Sequence, residues 1–585
     1  MLGAAGVTAG AVMATGLRTG DFGVADALRL ARDVRRKPLL LTLDLTTPLR
    51  PEGGGLAALR ARGRPTLRET IETVVRAADD ERVVGLICRV GRAVGGVATV
   101  QELAGAVRVF AASGKPAIAH AEDFFEGANG TLPFLLATAF GEIHMQPSGD
   151  LGLVGFAAEV TFLRGTLDKL GIDPQFEHRH EYKNAADTLT EHSFTPAHRE
   201  AIESVVDAWS SQIVEQIAAA RRLDPAAVRS AIDDSPLGAQ EALDRGLIDA
   251  LAYRDEALTV LRDRVPGDAE LTPLAEYRTA VLPRWHWRSR RGPMVAVIDA
   301  RGAIRQGRRT GGFGGAGISS DTLGAALRQA AQDSDVAAVV LRVDSGGGSA
   351  VASDVIRREI HRARRAGTPV VTWLGDVAAS GGYYIAMAAD QIVAQPGTLT
   401  GSIGVVSGKA VTAELQDKLG LHTEAVSRGE HARIFSSATP FSESERERLD
   451  ALLDRVYDDF TSKVAHDRGL TQPQVHEVAK GRIWTGAQAH DRGLVDRLGG
   501  YPEVLAAVRA ALKLRDDASL RVHRYPPPPP LTARLRGKEQ PDPAEEQVAA
   551  LLALSSADPS QIIDVLARAV APAGALTAPF LPRLR

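Results

Sequence analysis

At 585 residues and 62.0 kDa the chain is too long for one hydrophobic core and large enough for about three to four domain-sized units. With 44% hydrophobic residues, 24% charged residues and a net charge of -3 it reads as globular, and this balance excludes nucleic acid as an expected partner. The one cysteine, Cys88, excludes an intrachain disulfide and a cysteine-rich zinc site, and its neighbours Leu86 and Ile87 predict a buried, inert thiol.

Only ten of the 69 basic residues are lysines. Arginine stays protonated in proteins, whereas a buried lysine can lose its proton, so few positions could serve as an amine base.

Residues 2–17 are uncharged and mostly Ala, Gly and Val. They fall short of the ~20 apolar residues a membrane span needs and lack the basic start of a signal peptide. Residues 1–34 thus stand either as a remnant membrane anchor or as a plain terminal segment.

From residue 35 the chain passes through elements that recur roughly 250 residues later, a period that belongs to whole domains rather than solenoid repeats. The apolar run KPLLLTLDLTTPL (37–49) matches GPMVAVIDARGAI (292–304). A helix and a buried parallel strand follow in each, ending in VVGLICRV (83–90) and VAAVVLRV (336–343). GEIHMQPSGDLGLVG (141–155) matches DQIVAQPGTLTGSIG (390–404), and GAQEALDRGLID (238–249) matches GAQAHDRGLVD (486–496). Alternating strands and helices imply an α/β layered fold in each half. The expected division is a first repeat over 35–260, a linker over 261–290, a second repeat over 291–512, and a Pro-rich spacer and tail over 513–585 that contains the polyproline run 526–530.

Residues shared by the repeats serve the fold, so the differences point to chemistry. The second repeat carries LRVDSGGGS (341–349) where the first has CRVGRAVGG (88–96), and such a glycine run lets backbone N–H groups approach an oxyanion. Alone it would be no more than a tight turn. Further on, GDVAASGGYYIAMAAD (375–390) ends an apolar run just before Ser380 and begins a helical stretch after it, which places a serine at a helix start with the Gly381 N–H beside it. The first repeat has Thr131 there, without the paired glycines. His178, His180, His192, His422 and His431 are formal candidates for a base, but scattered histidines are more often surface or packing residues. Lys183, in HRHEYKNAADTL (178–189), falls where the second repeat has Ala432 or Arg433. The serine occurs in one repeat only, and the lysine in the other. Taken alone, Lys183 would be a solvated surface charge.

Together LRVDSGGGS, GDVAASGGYYIAMAAD, TLTGSIGV (398–405) and EYKNA resemble the signal peptide peptidase A (protease IV) family in its long, duplicated form, the Ser/Lys-dyad peptidases of family S49, over roughly residues 35–510. The resemblance implies a crotonase- or Clp-protease-like fold in each half and an active site built from both. It implies Ser380 as nucleophile, Lys183 as general base, and an oxyanion hole from the Gly347 or Gly348 amide with that of Gly381. It also implies a dome-shaped homo-oligomer, typically a tetramer, associated with the membrane on the extracytoplasmic side of the cell envelope. The substrates would be signal-peptide remnants and other apolar peptides. Two residues depart from the family pattern: Gly346 replaces a proline in the oxyanion loop, and Asn184 follows the lysine in place of serine.

The chemistry requires a neutral Lys183, so burial is expected to lower its pKa, with Glu181 and Asp187 facing away. It calls for no metal or other cofactor. An extended peptide is expected to add as a strand along Thr400, Gly401, Ser402 and Ile403. GFGGAG (312–317) fits a dinucleotide-binding pattern but follows its strand only after a polar stretch, and reads as a mobile loop. Ser319 or Ser320 reads as a helix cap. The rival readings are a crotonase-like acyl-thioester enzyme, with the same fold and oxyanion loop but no serine nucleophile, and a catalytically weak scaffold.

Overall fold

The computed structural model describes residues 37–50, 64–91, 95–126, 128–279, 292–307, 317–526, 576–577 and 583–584. The N-terminal segment 1–34 and most of the GFGGAG loop lie outside them. Among the described residues no helix is long and apolar enough to cross a membrane.

Each half is built on a parallel sheet. In the first, six strands run in the spatial order Glu270–Pro273, Leu39–Asp44, Val83–Arg89, Ala117–Ala121, Glu142–Met145 and Ala250–Leu251, all paired in parallel. In the second, Arg521–Arg524, Met294–Arg301, Val336–Ser345 and Val370–Ala379 repeat that order. Val370–Ala379 then pairs Gln391–Ala394 along one stretch and Leu399–Gly401 along another. These are the α/β halves expected from the sequence. Two boundaries move: Glu270–Pro273, expected in the linker, is an edge strand of the first sheet, and Arg521–Arg524, expected in the spacer, is its counterpart in the second. Both are short and polar, so neither carries the apolar pattern that marks the inner strands.

The strand sequences explain how the halves join. In a strand, alternate side chains face opposite sides. Val295, Val297, Ala338 and Val340 point into a core shared with the first half, while Ala296, Ile298, Val339 and Leu341 point into the second half's own core. The second sheet is therefore buried on both faces, and one of its covers is the first half's helix Val97–Ala112.

Polar groups lock this contact. The buried Glu102 carboxylate meets the Arg342 guanidinium at 3.1 Å and also accepts from Trp373 Nε1, while the guanidinium stacks 3.9 Å above the Trp373 ring. Gln101 Oε1 accepts from Gly397 N–H at 2.8 Å, and Trp209 Nε1 donates to the Gly397 carbonyl at 2.9 Å.

Helix caps show what became of the glycine loop in the first half. In the second repeat Ser349 caps its own helix, Ala350–Arg365, by accepting from Ala352 N–H at 3.3 Å. Gly96 occupies that place in the first repeat and has no side chain to offer. Asp376, four residues before Ser380, caps the helix from across the interface instead: it accepts from Gly96 N–H (3.2 Å), Thr99 N–H (2.8 Å) and Thr99 Oγ1 (2.6 Å). Ser319 caps Ser320–Gln332 as expected, and Cys88 is fully buried, which pushes its thiol pKa up.

Asp376→Ala removes three hydrogen bonds between the halves and is expected to lower the unfolding free energy by about 2 kcal/mol. Asp376→Asn, which keeps an acceptor, should lose less. Denaturant titration of the two variants checks the order.

Candidate active site

The strand Val370–Ala379 is apolar and buried along most of its length, and it ends at Ser380. The chain turns sharply there into the short helix Gly381–Ala386, which the paired glycines permit by letting it pack against the loop before it. Ser380 itself takes φ 54° and ψ -116°, a conformation that a residue with a side chain adopts only under constraint. The constraint is visible: Ser380 N–H donates to the Gly401 carbonyl at 2.8 Å, and the Ser380 carbonyl accepts from Tyr384 N–H at 2.9 Å.

Lys183 arrives from the first half on a segment stitched to the second. The strand Asp173–His178 pairs antiparallel with Val406–Val411 over six residues, from Asp173 opposite Val411 to His178 opposite Val406. The stitching continues with Arg179 N–H on the Val405 carbonyl at 3.1 Å and Tyr182 N–H on the Lys480 carbonyl at 3.2 Å. Lys183 follows, with 0% of its surface exposed. Its Nζ lies 2.9 Å from Ser380 Oγ, 3.0 Å from the Ser402 carbonyl and 3.0 Å from Ser402 Oγ. Residues 197 apart in sequence thus meet in one buried cluster.

The amine has no carboxylate beside it. Burial alone holds the Lys183 ammonium well below its ordinary value of 10.5. Glu181 points toward Lys480, 3.8 Å away, and Asp187 lies 3.3 Å from His198 Nδ1 and accepts from Thr195 Oγ1 at 3.3 Å. The candidate histidines are engaged elsewhere: His178 with the His180 carbonyl, His180 against the Tyr457 ring, His192 with Asp168, His422 with Glu424, and His431 with Ser444. Thr131, aligned with Ser380 in sequence, opens the helix Thr131–Ala137, and its hydroxyl accepts from Gly155 N–H at 3.0 Å.

Gly347 and Gly348 form a short strand with φ 108° and 149°, values that favour glycine, and Ile304 backbone fills the space where a Gly348 side chain would stand. The helix start lies against them: a Cβ on Gly381 would stand 3.1 Å from Gly347 Cα and 3.1 Å from Gly348 N. Gly347 N–H already donates to Ser345 Oγ at 3.1 Å. Gly346 is exposed and outside the positive-φ set, so the two glycines after it, not Gly346, carry the unusual backbone.

The expected substrate strand needs correction. Thr400, Ser402 and Ile403 are fully buried, and Leu399–Gly401 is paired on both edges, parallel with Val377–Ala379 and antiparallel with Ile483–Thr485. With no free edge, this strand cannot take up another. Thr400 on this strand and Ser402 just after it hold the buried cluster together, with Thr400 Oγ1 donating to the Ala378 carbonyl at 2.6 Å and Ser402 on the lysine. Ser402 aligns with Leu153 in the first repeat, so comparing the repeats at that position would have marked it as a chemical residue. Gly481, aligned with Asp233, also differs between the repeats and is a site residue that the sequence reading did not name. It has φ 84°, its N–H donates to the Ile403 carbonyl at 2.8 Å, and a Cβ on it would collide with Lys183 N, Cα and Cβ.

Between the halves lies an apolar cavity of about 130 Å³, lined by Val97, Ile202, Trp209, Val377, Leu399 and Ile483 among others. Val377 and Leu399 lie on the strands that lead to Ser380 and Ser402.

Residues 110–266 and 362–515 each match the sequence profile of Peptidase family S49. The chain is 31% identical over 469 residues to the "Serine protease SPPA, chloroplastic" of Arabidopsis thaliana, covering 80% of this chain and 68% of that protein. It is likewise 31% identical over 462 residues to "Protease 4" of Salmonella typhi, covering 77% and 72%. A shorter likeness, 34% over 190 residues covering 32% and 55%, joins it to a "Putative signal peptide peptidase SppA" of Enterococcus faecium. With the profile matched once in each half, the chain belongs to peptidase family S49 and is a serine-type peptidase carrying the family domain twice.

Proposed function

We propose that Ser380 Oγ is the nucleophile and Lys183 Nζ its general base. The observation that carries this reading is a lysine amine fully buried, without a counter-charge, 2.9 Å from a serine hydroxyl. A neutral amine has two N–H donors and one lone pair. The Ser402 carbonyl can only accept, so it takes one N–H, and Ser402 Oγ takes the other. The lone pair is left facing Ser380, whose O–H donates to it.

Attack of Ser380 Oγ on a peptide carbonyl then transfers the hydroxyl proton to Lys183, forming an ammonium that next protonates the leaving amine. Water attacks the resulting acyl-serine with Lys183 again as base. The Gly381 N–H is one donor to the tetrahedral oxyanion. Because Gly347 N–H is engaged by Ser345, Gly348 N–H is the better second donor. The family's usual proline would stiffen this loop, so Gly346 makes its approach less fixed.

The apolar cavity between the halves suits aliphatic side chains, in keeping with signal-peptide remnants and other apolar peptides as substrates. The likeness to a signal peptide peptidase supports the same class. We place the enzyme in the cell envelope, associated with the extracytoplasmic side of the membrane, as a homo-oligomer of the tetrameric kind that the duplicated form suggests. A crotonase-like acyl-thioester enzyme would leave the hydroxyl–amine pair without a task, and a weak scaffold would have no need of the buried base.

Ser380→Ala and Lys183→Ala are each expected to reduce kcat/KM on an apolar peptide by about ten-thousand-fold or more. A fluorophosphonate probe should label Ser380 in the wild type, and peptide mapping that finds no label there would favour the acyl-thioester reading. Since only the neutral amine is a base, kcat/KM should rise with pH along a limb centred well below the 10.5 of an ordinary lysine. The unfolded chain holds this proton to higher pH than the folded one, so stability should also rise with pH through that window. Gly481→Ala forces the Lys183 backbone to move and is expected to lower kcat/KM by about a hundred-fold with the circular dichroism spectrum unchanged. Wild-type kinetics in that variant would show that Gly481 does not set the lysine's position.

A further inference from the structure

Two backbone segments from different halves meet at the Lys183 amine. Tyr182, the residue before the lysine, donates its N–H to the Lys480 carbonyl at 3.2 Å. Gly481 packs on Lys183 so closely that a Cβ there would stand 2.4 Å from Lys183 N. The next residue, Arg482, accepts from Ser402 N–H at 2.7 Å through its carbonyl, and Ser402 is itself a partner of the amine. Tyr182 and Arg482 are thus the neighbours whose placement fixes the lysine, its glycine cover and its hydrogen-bond partner.

The side chains of those two neighbours meet on one carboxylate. Glu200, in the second turn of the helix Pro196–Arg221, accepts from the Tyr182 hydroxyl at 2.7 Å on Oε2 and from Arg482 Nη1 at 2.8 Å on Oε1. The Arg482 guanidinium also stacks 4.8 Å from the centre of the Tyr182 ring and 4.5 Å from a ring centre of Trp484. The hydrogen bonds from Tyr182 and then Arg482 hold the Glu200 carboxyl below its ordinary pKa. This carboxylate lies apart from the dyad: its side chain is 55% exposed, whereas Lys183 is 0% exposed.

We propose that Glu200 is a positioning residue: it clamps Tyr182 of the first half to Arg482 of the second, and so holds the Lys183 amine at Ser380 and shut away from water. The proposal rests on the reading of Lys183 as the general base. An exposed ion pair contributes little to global stability, because solvent screens it and both side chains lose freedom. Position is a different matter, since a misplacement of about 1 Å in a reacting group can cost about a hundredfold in rate. Water admitted to the amine would also return its pKa toward that of an ordinary lysine. The clamp therefore acts on kcat and on the protonation of the base far more than on folding.

The test uses the full chain. Glu200→Ala is expected to lower kcat on an apolar peptide about tenfold, with KM and the thermal midpoint unchanged. It should also move the rising limb of the kcat/KM pH profile to higher pH. Glu200→Gln keeps an acceptor and should recover part of the loss. Tyr182→Phe added to Glu200→Ala should cost nothing more, since the hydroxyl has already lost its partner. Wild-type kcat with an unshifted limb in Glu200→Ala overturns the proposal. So does a lower kcat accompanied by a lower thermal midpoint and an unshifted limb, which would give Glu200 an ordinary structural role. Hydrogen–deuterium exchange over residues 178–186 and 479–485 reads the clamp independently of catalysis and should be faster in Glu200→Ala. Faster exchange there, with no hydrolysis of any peptide by the wild type, would overturn the base reading and leave the clamp in place. Hydrolysis by the wild type with exchange unaltered by the substitution would do the reverse.

Discussion

The structure turns on one unpaired amine. An ammonium taken out of water without a counter-charge is costly enough that the group gives up its proton instead. For Lys183 that burial requires a roof, which the first half cannot provide by itself. The second half supplies it through Gly404 and Gly481, packed so closely that a Cβ on Gly404 would stand 3.1 Å from Lys183 Cδ. It also supplies Ser402, whose carbonyl and hydroxyl each lie 3.0 Å from the amine. A carboxylate at this point would favour the ammonium. Glu181 and Asp187, the nearest acids in sequence, are turned to Lys480 and His198.

Duplication made this arrangement possible by giving the chain two versions of every part. The second half kept the glycine loop, the serine and the paired glycines after it. The first half carries the lysine, and its helix that starts after Gly96 is capped by Asp376 of the other half. The buried Glu102, Arg342 and Trp373 cluster lies in the same interface. A buried ion pair of this kind adds little net stability but penalises misdocking, since a shifted interface would leave a charge without a partner. The six-residue strand pairing of Asp173–His178 with Val406–Val411 sets the register that brings Lys183 to Ser380, and a slip of one residue would turn its side chains to the opposite face.

The strained Ser380 backbone belongs to the same logic. A serine at φ 54° is held there by the Gly401 carbonyl and by the helix that starts behind it, which keeps its hydroxyl at the lysine and its neighbour's N–H near the glycine strand. Such a turn costs free energy that the surrounding core, buried on both faces of the second sheet, offsets.

By itself the sequence determined a great deal: two α/β repeats, the place of Ser380 at a strand-to-helix turn, the lysine as the residue found only in the sister repeat, the buried thiol and a serine cap at Ser319 or Ser320, of which the structure uses Ser319. These follow from local periodicity and from differences between aligned positions, which a chain displays in order. Only the tertiary structure decided that Thr400 and Gly401 lie on an inner strand, with Ser402 and Ile403 buried just beyond it, and not on a substrate edge, because an edge is free or paired according to what docks beside it. The same holds for the polar edge strands Glu270–Pro273 and Arg521–Arg524, which no apolar pattern announces. It holds too for Asp376, whose partners lie 277 and 280 residues away. Lys183 shows both sides: the repeats singled it out, but the pKa of a lysine in HRHEYKNA falls only where the second half removes it from water.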